Sequence, residues 1–158
     1  MSVLKRLLAV LALLLALVVV GGFVLPSSTH VERSVVIARP PADVFAILNS
    51  YRRFNEWSPW HGRDPKTEYR FEGPDEGVGA AMHWSSEQSD VGKGRQSIIE
   101  SVPDRTVATR LEFEGQGDAL ARFTLTAEGE GTRVVWGFDT EHGMNPISRW
   151  FGLMLDRW

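Results

Sequence analysis

The chain begins with a long apolar run and continues as a region of alternating and amphipathic segments. Leu7–Leu25 contains 19 consecutive residues without a charged or strongly polar side chain. A helix of that length reaches about 28 Å, close to the roughly 30 Å hydrocarbon core of a bilayer. The pattern predicts a single N-terminal transmembrane anchor in residues 1–26, with residues 7–25 inside the membrane.

Two other interpretations of this run stay open. A cleaved secretory signal usually has a shorter apolar stretch, of about 7–15 residues, and Val24–Ser27 is a poor cleavage site. A buried core helix would leave some polar positions for solvent, and the run has none. Because Lys5 and Arg6 precede the run, the positive-inside rule predicts a cytoplasmic N-terminus and an exported domain, periplasmic if the cell is bacterial.

Residues 27–158 are predicted to form one α+β domain. Thr29–Ala38 alternates between apolar and polar positions, as a half-buried strand does. Pro41–Asn49 predicts a short helix with proline in its first turn, and Tyr51–Trp57 predicts a second helical turn. Ser58–Pro65 contains two prolines and a glycine, which predicts a loop.

Six further strands are predicted, separated by turns rich in glycine, proline and aspartate. They are Glu68–Gly73, Ala80–Ser85, Gly94–Val102, Thr106–Glu114, Gly117–Ala127 and Thr132–Thr140. Connections this short join antiparallel neighbours, so the strands predict an antiparallel meander.

The C-terminal segment predicts an amphipathic helix, because Asn145-Pro146 supplies a capping residue and a first-turn proline. An apolar stripe follows at helical spacing: Ile147, Trp150, Phe151, Met154, Leu155 and Trp158. The stripe is still running at Trp158, so we expect the natural helix to continue beyond it.

Composition excludes several kinds of site. Residues 27–158 hold 15 basic and 20 acidic residues, a formal charge of −5, with no basic block of the kind that binds nucleic acid. The absence of cysteine excludes disulfides, thiolate catalysis and cysteine-ligated zinc. The four histidines lack the spacing of metal ligands, and we predict neither a metal nor a cofactor.

Several local motifs point to a known family. The most specific is the run Asn55-Glu56-Trp57-Ser58-Pro59-Trp60. The others are Val31-Glu32-Arg33-Ser34, Pro40-Pro41-Ala42-Asp43-Val44-Phe45, Asp64-Pro65, Gly77-Val78-Gly79, Gly92-Lys93-Gly94 and Trp136-Gly137-Phe138. With the order of elements, they make residues 29–158 resemble the START-like superfamily, also called SRPBCC or polyketide cyclase/dehydrase and lipid-transport proteins.

The resemblance implies a helix-grip fold, in which a curved antiparallel sheet of about seven strands wraps a long C-terminal helix around an internal cavity. Members of the family bind lipids, sterols, polyketides and other apolar molecules, and some catalyse cyclisation or dehydration. This chain departs from that pattern because it ends within the gripping helix.

Large aromatic side chains are the candidates for contact with an apolar ligand. We predict Trp57 and Trp60 at the mouth of the cavity, and Trp84, Trp136 and Phe138 on strands facing into it. The alternative for each of these side chains is an ordinary place in the hydrophobic core.

Candidates for acid–base chemistry are few, and we assign no catalytic residue. Glu56 could act as a general acid or base if burial raised its pKa, or could brace its loop against Arg52 or Arg53. His83 is adjacent to Trp84 on one strand, so only one of the two can face inward, and an inward His83 would be a candidate proton donor.

Three functions follow as hypotheses. The first is a membrane-tethered module that binds a small apolar ligand, such as a lipid, an isoprenoid or a polyketide-like molecule, in an internal cavity. The second is a cyclase or dehydrase acting in the same cavity. The third is an envelope protein-interaction module with a filled interior and an exposed aromatic patch, whose protein partner the sequence does not identify.

Overall fold

The computed structural model describes residues 3–115 and 117–155. The elements in these ranges are α1 (Val3–Val24), β1 (Ser28–Ile37), α2 (Pro41–Leu48), a 3₁₀ helix (Tyr51–Glu56), α3 (Pro59–Arg63), β2 (Glu68–Glu72), β3 (Ala81–Ser85), β4 (Lys93–Val102), β5 (Thr106–Phe113), β6 (Gly117–Glu128), β7 (Gly131–Glu141) and α4 (Pro146–Leu155). The chain divides into two compact units. One is Glu32–Asp139, and the other joins the N-terminal segment up to Val31 to the C-terminal segment from Thr140.

The α+β class and the seven-stranded antiparallel sheet are confirmed, and the elements are consistent with the helix-grip fold. Each strand begins and ends within one residue of its predicted bounds. The prediction of a loop over Ser58–Pro65 is wrong, because Pro59–Arg63 forms a short helix. Its first turn is stabilised by the Ser58 hydroxyl, which accepts a hydrogen bond from the backbone N–H of Trp60 at 3.4 Å. This cap and the N-terminal proline outweigh the glycine in the segment.

The seven strands follow the order β1-β7-β6-β5-β4-β3-β2. Because side chains alternate along each strand, the sheet has two different faces. The core face carries the buried side chains of Met82, Ile98 and Val107. The charged face carries the cross-strand row Arg70, His83, Arg95 and Glu112.

The segment between β1 and β2 covers part of the core face. Tyr51 lies in one buried cluster with Met82, Ile98 and Val107, and Phe45, Leu48, Phe54 and Tyr69 pack against it. Val44 of α2 lies in a second cluster with Leu125 and Val134. Burial of each large apolar side chain contributes roughly 1.5–3 kcal/mol, so these contacts hold α2 and the 3₁₀ helix on the sheet.

An aromatic pair lies across a glycine at the point where β3 ends, β4 begins and β5 ends. Trp84 pairs with Gly94 across the strands, and Gly94 pairs with Phe113. With no side chain between them, the two rings meet edge to face with centroids 5.7 Å apart. The Trp84 indole N–H donates to the Val91 carbonyl at 3.2 Å, which fixes the orientation of the ring.

A buried carboxylate holds the chain after α3. The Ser86 hydroxyl donates to Asp64 Oδ2 at 2.5 Å, and the Lys66 backbone N–H donates to Asp64 Oδ1 at 2.9 Å. The Thr67 hydroxyl donates to the Asp64 backbone carbonyl at 2.8 Å. The hydrogen bond from Ser86, followed by that from Lys66, holds the pKa of Asp64 below its ordinary value.

The helix α1 is long and apolar enough to cross a membrane, judged by its length and composition. Its leucine and valine side chains are largely exposed, whereas the core-helix interpretation requires them to be buried. At the other end of the chain, Asn145 caps α4 as predicted, with its Oδ1 accepting from the backbone N–H of Ile147 at 3.0 Å. Trp158 and the side chains of Phe151, Met154 and Leu155, which complete the predicted stripe, lie outside the described residues.

We predict that Gly94→Ala destabilises the protein by about 1–3 kcal/mol. A Cβ at this position would lie 2.5 Å from the Trp84 ring and 2.5 Å from the Glu112 backbone oxygen. The measurement is urea unfolding of the full chain in a non-ionic detergent, followed by near-ultraviolet circular dichroism. The matched control is Gly62→Ala in α3, where a Cβ meets nothing within 4 Å and stability stays equal or rises. Equal effects of the two substitutions would contradict the packing account.

We predict that Asp64→Asn lowers stability at neutral pH and that its effect shrinks in acid. The folded-state pKa of Asp64 is lowered, so its contribution is present above the unfolded pKa of about 3.9 and is lost as pH falls through the folded pKa. Unfolding midpoints of the wild type and the variant between neutral and acidic pH test this directly. The exposed Asp118→Asn is the control, and a difference from wild type that does not vary with pH for Asp64→Asn would refute the prediction.

Candidate functional site

The core face continues beyond the part covered by α2 and the 3₁₀ helix. There its large side chains are half-buried: Trp84, Leu111, Phe113, Trp136 and Phe138. Trp136 and Phe138 lie on β7 with stacked rings, centroids 5.5 Å apart. Strand alternation places both on the face of the buried Val134. Two of the small side chains of β6, Ala119 and Ala121, oppose Leu111 and Thr109 of β5 on this same face.

Trp57 belongs to a chain of aromatic rings at the end of the 3₁₀ helix. It meets Phe54 with ring centroids 5.2 Å apart and Phe123 with centroids 5.8 Å apart, both edge to face. Since Phe123 is opposite Val107 in the β5–β6 ladder, this chain reaches the core face. Trp57 itself is 38% exposed, so part of its surface remains open to solvent.

Trp60 is placed differently from the other predicted ligand contacts. It lies on α3, is 47% exposed, and has the Arg63 guanidinium 4.9 Å from its ring centre. The structure thus brings Trp84, Trp136 and Phe138 to one face of the sheet and joins Trp57 to that face through Phe123. Trp60 instead forms a cation–π contact within its own helix.

An open groove of about 490 Å³ lies across the outer ends of β3, β4 and β5. It is lined by His83, Trp84, Ser85, Lys93, Gly94, Arg95, Glu112, Phe113 and Glu114. Trp84 and Phe113 line it from the core face, and His83, Arg95 and Glu112 line it from the charged face. The groove is large enough for a small molecule.

Neither candidate for acid–base chemistry lies on the core face, although His83 lines the groove from the charged face. Arg53 Nε donates to Glu56 Oε1 at 3.0 Å and Arg53 Nη2 donates to Oε2 at 2.8 Å. These bonds hold the pKa of Glu56 below its ordinary value, the opposite of what a general acid at neutral pH requires. This geometry agrees with the alternative, in which Glu56 braces its segment against Arg53.

His83 lies on the charged face, so Trp84 is the inward member of the pair. Its Nε2 is 3.0 Å from Glu72 Oε2, and Arg95 Nη1 donates to Glu112 Oε2 at 2.8 Å beside it. The hydrogen bond from His83 holds the pKa of Glu72 below its ordinary value, with the charges of Arg70 and Arg95 acting in the same direction. Across residues 3–115 and 117–155, no three His, Asp or Glu side chains come together as a metal site.

Tyr51 is a polar residue of the core face that the sequence did not single out. It is only 6% exposed, and its hydroxyl has no partner at hydrogen-bonding geometry among the described residues. Burial raises the pKa of Tyr51, while the neighbouring Thr109 hydroxyl and the charge of Arg95 oppose that rise. The phenol is therefore neutral at physiological pH, with the Thr109 hydroxyl as its polar neighbour. No motif marks this position, because burial of Tyr51 depends on how the 3₁₀ helix packs on β3–β5.

We predict that Tyr51→Phe leaves the protein as stable as the wild type or makes it more stable by up to about 1–3 kcal/mol, since an unpartnered buried hydroxyl is removed. Urea unfolding measures the change, and Tyr69→Phe is the control, because Tyr69 is a second tyrosine packed against the same cluster. A loss of more than about 1 kcal/mol for Tyr51→Phe would mean that its hydroxyl is hydrogen-bonded in solution.

Residues 28–158 match the family model described as polyketide cyclase / dehydrase and lipid transport. The comparison with curated proteins found no match.

Solved structures share the fold at low sequence identity. Protein CV1439 from Chromobacterium violaceum is 19% identical with a TM-score of 0.54, covering 84% of this chain and 93% of its own. The ginseng major latex-like protein 151 from Panax ginseng is 13% identical with a TM-score of 0.54, covering 84% and 96%. Aha1 from Colwellia psychrerythraea, solved as a dimer, is 13% identical with a TM-score of 0.53, covering 80% and 87%. The family match, which covers the whole sheet and α4, shows that the chain belongs to the polyketide cyclase/dehydrase and lipid-transport family.

Proposed function

We propose that this protein is a membrane-tethered module that binds a small apolar ligand, such as a lipid, an isoprenoid or a polyketide-like molecule, against the core face of its sheet. The observation that carries the proposal is the contrast between two parts of that face. Under α2 and the 3₁₀ helix, Met82, Ile98 and Val107 are fully buried. Beyond them, Trp84, Phe113, Trp136 and Phe138 are half-buried, although they are larger.

Half-buried aromatic rings gathered on one face favour a ligand over solvent as their partner. Large apolar patches on soluble domains are uncommon and mark binding surfaces. Rings with small side chains between them form walls and a floor, the shape that apolar ligand sites take. Ala119 and Ala121 of β6 supply such a floor between Leu111 of β5 and the aromatic side chains of β7.

Polar groups near this surface supply orientation rather than catalysis. The Tyr51 phenol and the buried side chains of Gln96 and Thr109 lie on the covered part of the core face. A hydroxyl or amide at the edge of an apolar site fixes a ligand oxygen. The ion-paired Glu56 and the outward His83 support binding over a cyclase or dehydrase reaction.

The proposed membrane tether is α1. Its length, apolar composition and exposed side chains support a single membrane span. Lys5 and Arg6 at its beginning favour a cytoplasmic N-terminus, with the family domain on the other side of the membrane. A tethered domain would take up or deliver an apolar molecule at that surface.

We predict that Trp136→Ala and Phe138→Ala each weaken ligand binding about tenfold, the loss expected when roughly 1.5–3 kcal/mol of aromatic burial is partly removed. The measurement is titration of the full chain in nanodiscs with the fluorescent fatty acid cis-parinaric acid, read by energy transfer from tryptophan. The matched control is Leu120→Ala, an exposed apolar side chain on the opposite face of β6.

Equal affinity for all three variants and the wild type would place the probe elsewhere and refute the site. Mass spectrometry of molecules extracted from the purified full chain gives an independent readout. A chain that carries no apolar molecule and takes up no probe would favour the protein-interaction hypothesis instead.

A further inference from the structure

The C-terminal helix α4 packs on the end of α1 through specific hydrogen bonds. The Trp150 indole N–H donates to the backbone carbonyl of Val18 at 2.9 Å. Val18 lies six residues before the end of α1 at Val24, about 9 Å along the helix axis. The indole therefore contacts α1 at a residue that lies inside the predicted membrane span and not at its end.

Two adjacent glycines of α1 make room for this contact. A Cβ on Gly21 would lie 3.0 Å from the Trp150 ring. A Cβ on Gly22 would lie 2.5 Å from the Pro146 carbonyl oxygen and 2.6 Å from Pro146 Cβ. Any larger residue at position 22 would force α4 away, because the obstacle is backbone rather than a flexible side chain. Small residues of this kind allow close helix contact within membranes.

Arg149 joins α4 to the last turn of α1. Its Nη1 donates to the carbonyl oxygens of Phe23 at 3.1 Å and Leu25 at 3.2 Å. Its Nε and Nη2 donate to the Gly143 carbonyl at 3.1 and 2.6 Å. A cation at a helix C-terminus is favoured by the helix dipole, and carbonyl groups near hydrocarbon need a partner that water does not supply.

On another side, α4 rests against the strand ends of the same unit. A Cβ on Gly152 would lie 2.5 Å from both His142 Nε2 and Thr29 Oγ1, which are themselves hydrogen-bonded at 2.8 Å. The His142 backbone N–H donates to the Ser27 carbonyl at 2.7 Å. The helix is thus held to α1 and to the first residues after it.

Two apolar side chains of α4 that flank the contact with α1 stay exposed. Ile147 is 59% exposed and Leu153 is 48% exposed, and Trp150, which packs on α1, is still 40% exposed between them. Met144 just before the helix and Val24 at the end of α1 are also exposed. Because these side chains lie beside the end of α1, the solvent that surrounds that end of α1 also meets them.

We propose that α4 is an interfacial membrane helix, whose Ile147, Trp150 and Leu153 face enters the lipid headgroup and acyl boundary beside α1. This inference rests on the membrane span of the proposed function, and the occupant of the apolar face is the bilayer. Amphipathic helices lie at that depth with their apolar side in lipid, and tryptophan is enriched there. The protein then contacts the membrane by two elements, which hold residues 27–31 and 140–155 at its surface.

The absence of cysteine allows this to be tested with single introduced thiols in the full chain. Ile147→Cys and Leu153→Cys are labelled with the fluorophore NBD and reconstituted into vesicles of phosphatidylcholine and phosphatidylglycerol. We expect both labels to be quenched by doxyl-labelled lipid and shielded from aqueous iodide. Leu11→Cys reports on the span, and the exposed Asp118→Cys serves as a water-facing control.

The labelled positions distinguish a failure of the interfacial helix from a failure of the membrane span. Iodide quenching at positions 147 and 153 equal to that at position 118, with position 11 in lipid, would overturn the interfacial helix and leave the tether intact. Iodide quenching at position 11 as well would overturn both the span and this inference. Binding of cis-parinaric acid by the same samples is a separate readout for the ligand site.

Gly22→Leu tests the contact that positions α4. We expect it to move the label at Leu153→Cys toward water while the protein stays in the membrane fraction after alkaline carbonate extraction. The control is Ala12→Leu, an exposed alanine of the same helix, which leaves the label in place. An unchanged label in the Gly22→Leu protein would overturn the glycine contact as the support of α4.

Discussion

The domain depends on hydrophobic contact between one face of the sheet and the short segment that follows β1. Met82, Ile98 and Val107 come from three different strands, and Tyr51 brings them together under the 3₁₀ helix. This contact decides which face of each strand is inside. Because side chains alternate along each strand, the same choice places the other strand residues of the unit Glu32–Asp139 on one face or the other.

One consequence is a separation of apolar and ionic side chains. Trp84 and Phe113 meet on the core face, while His83, Arg95 and Glu112, at neighbouring positions, form the row on the charged face. Ion pairs at such exposed sites contribute little to stability, about 0–1 kcal/mol each. They keep that face hydrated, while the half-buried aromatic side chains lie on the core face. This separation is the reason for proposing that the core face binds an apolar molecule and does not carry out proton transfer.

The other unit follows a different constraint. The last carbonyl groups of a helix have no partner within the helix and need one from outside. Arg149 donates to the carbonyl oxygens of Phe23 and Leu25, and the Trp150 indole donates to that of Val18. In this chain the C-terminal helix is therefore hydrogen-bonded to α1.

Local pattern was enough to determine much of this protein. Period-two alternation and glycine- or proline-rich turns act over a few residues, so all seven strands, the Asn145 cap and the apolar helix were predicted from the sequence. The short helix at Pro59–Arg63 was not predicted, because two prolines and a glycine are typical of a loop, whereas here Pro59 lies in the first helical turn and Ser58 caps it. The tertiary structure alone decided that Trp84 and not His83 faces inward, that Tyr51 is buried, and that Trp150 reaches Val18. Those outcomes depend on strand register and on contacts between residues far apart in the chain, and no local pattern encodes them.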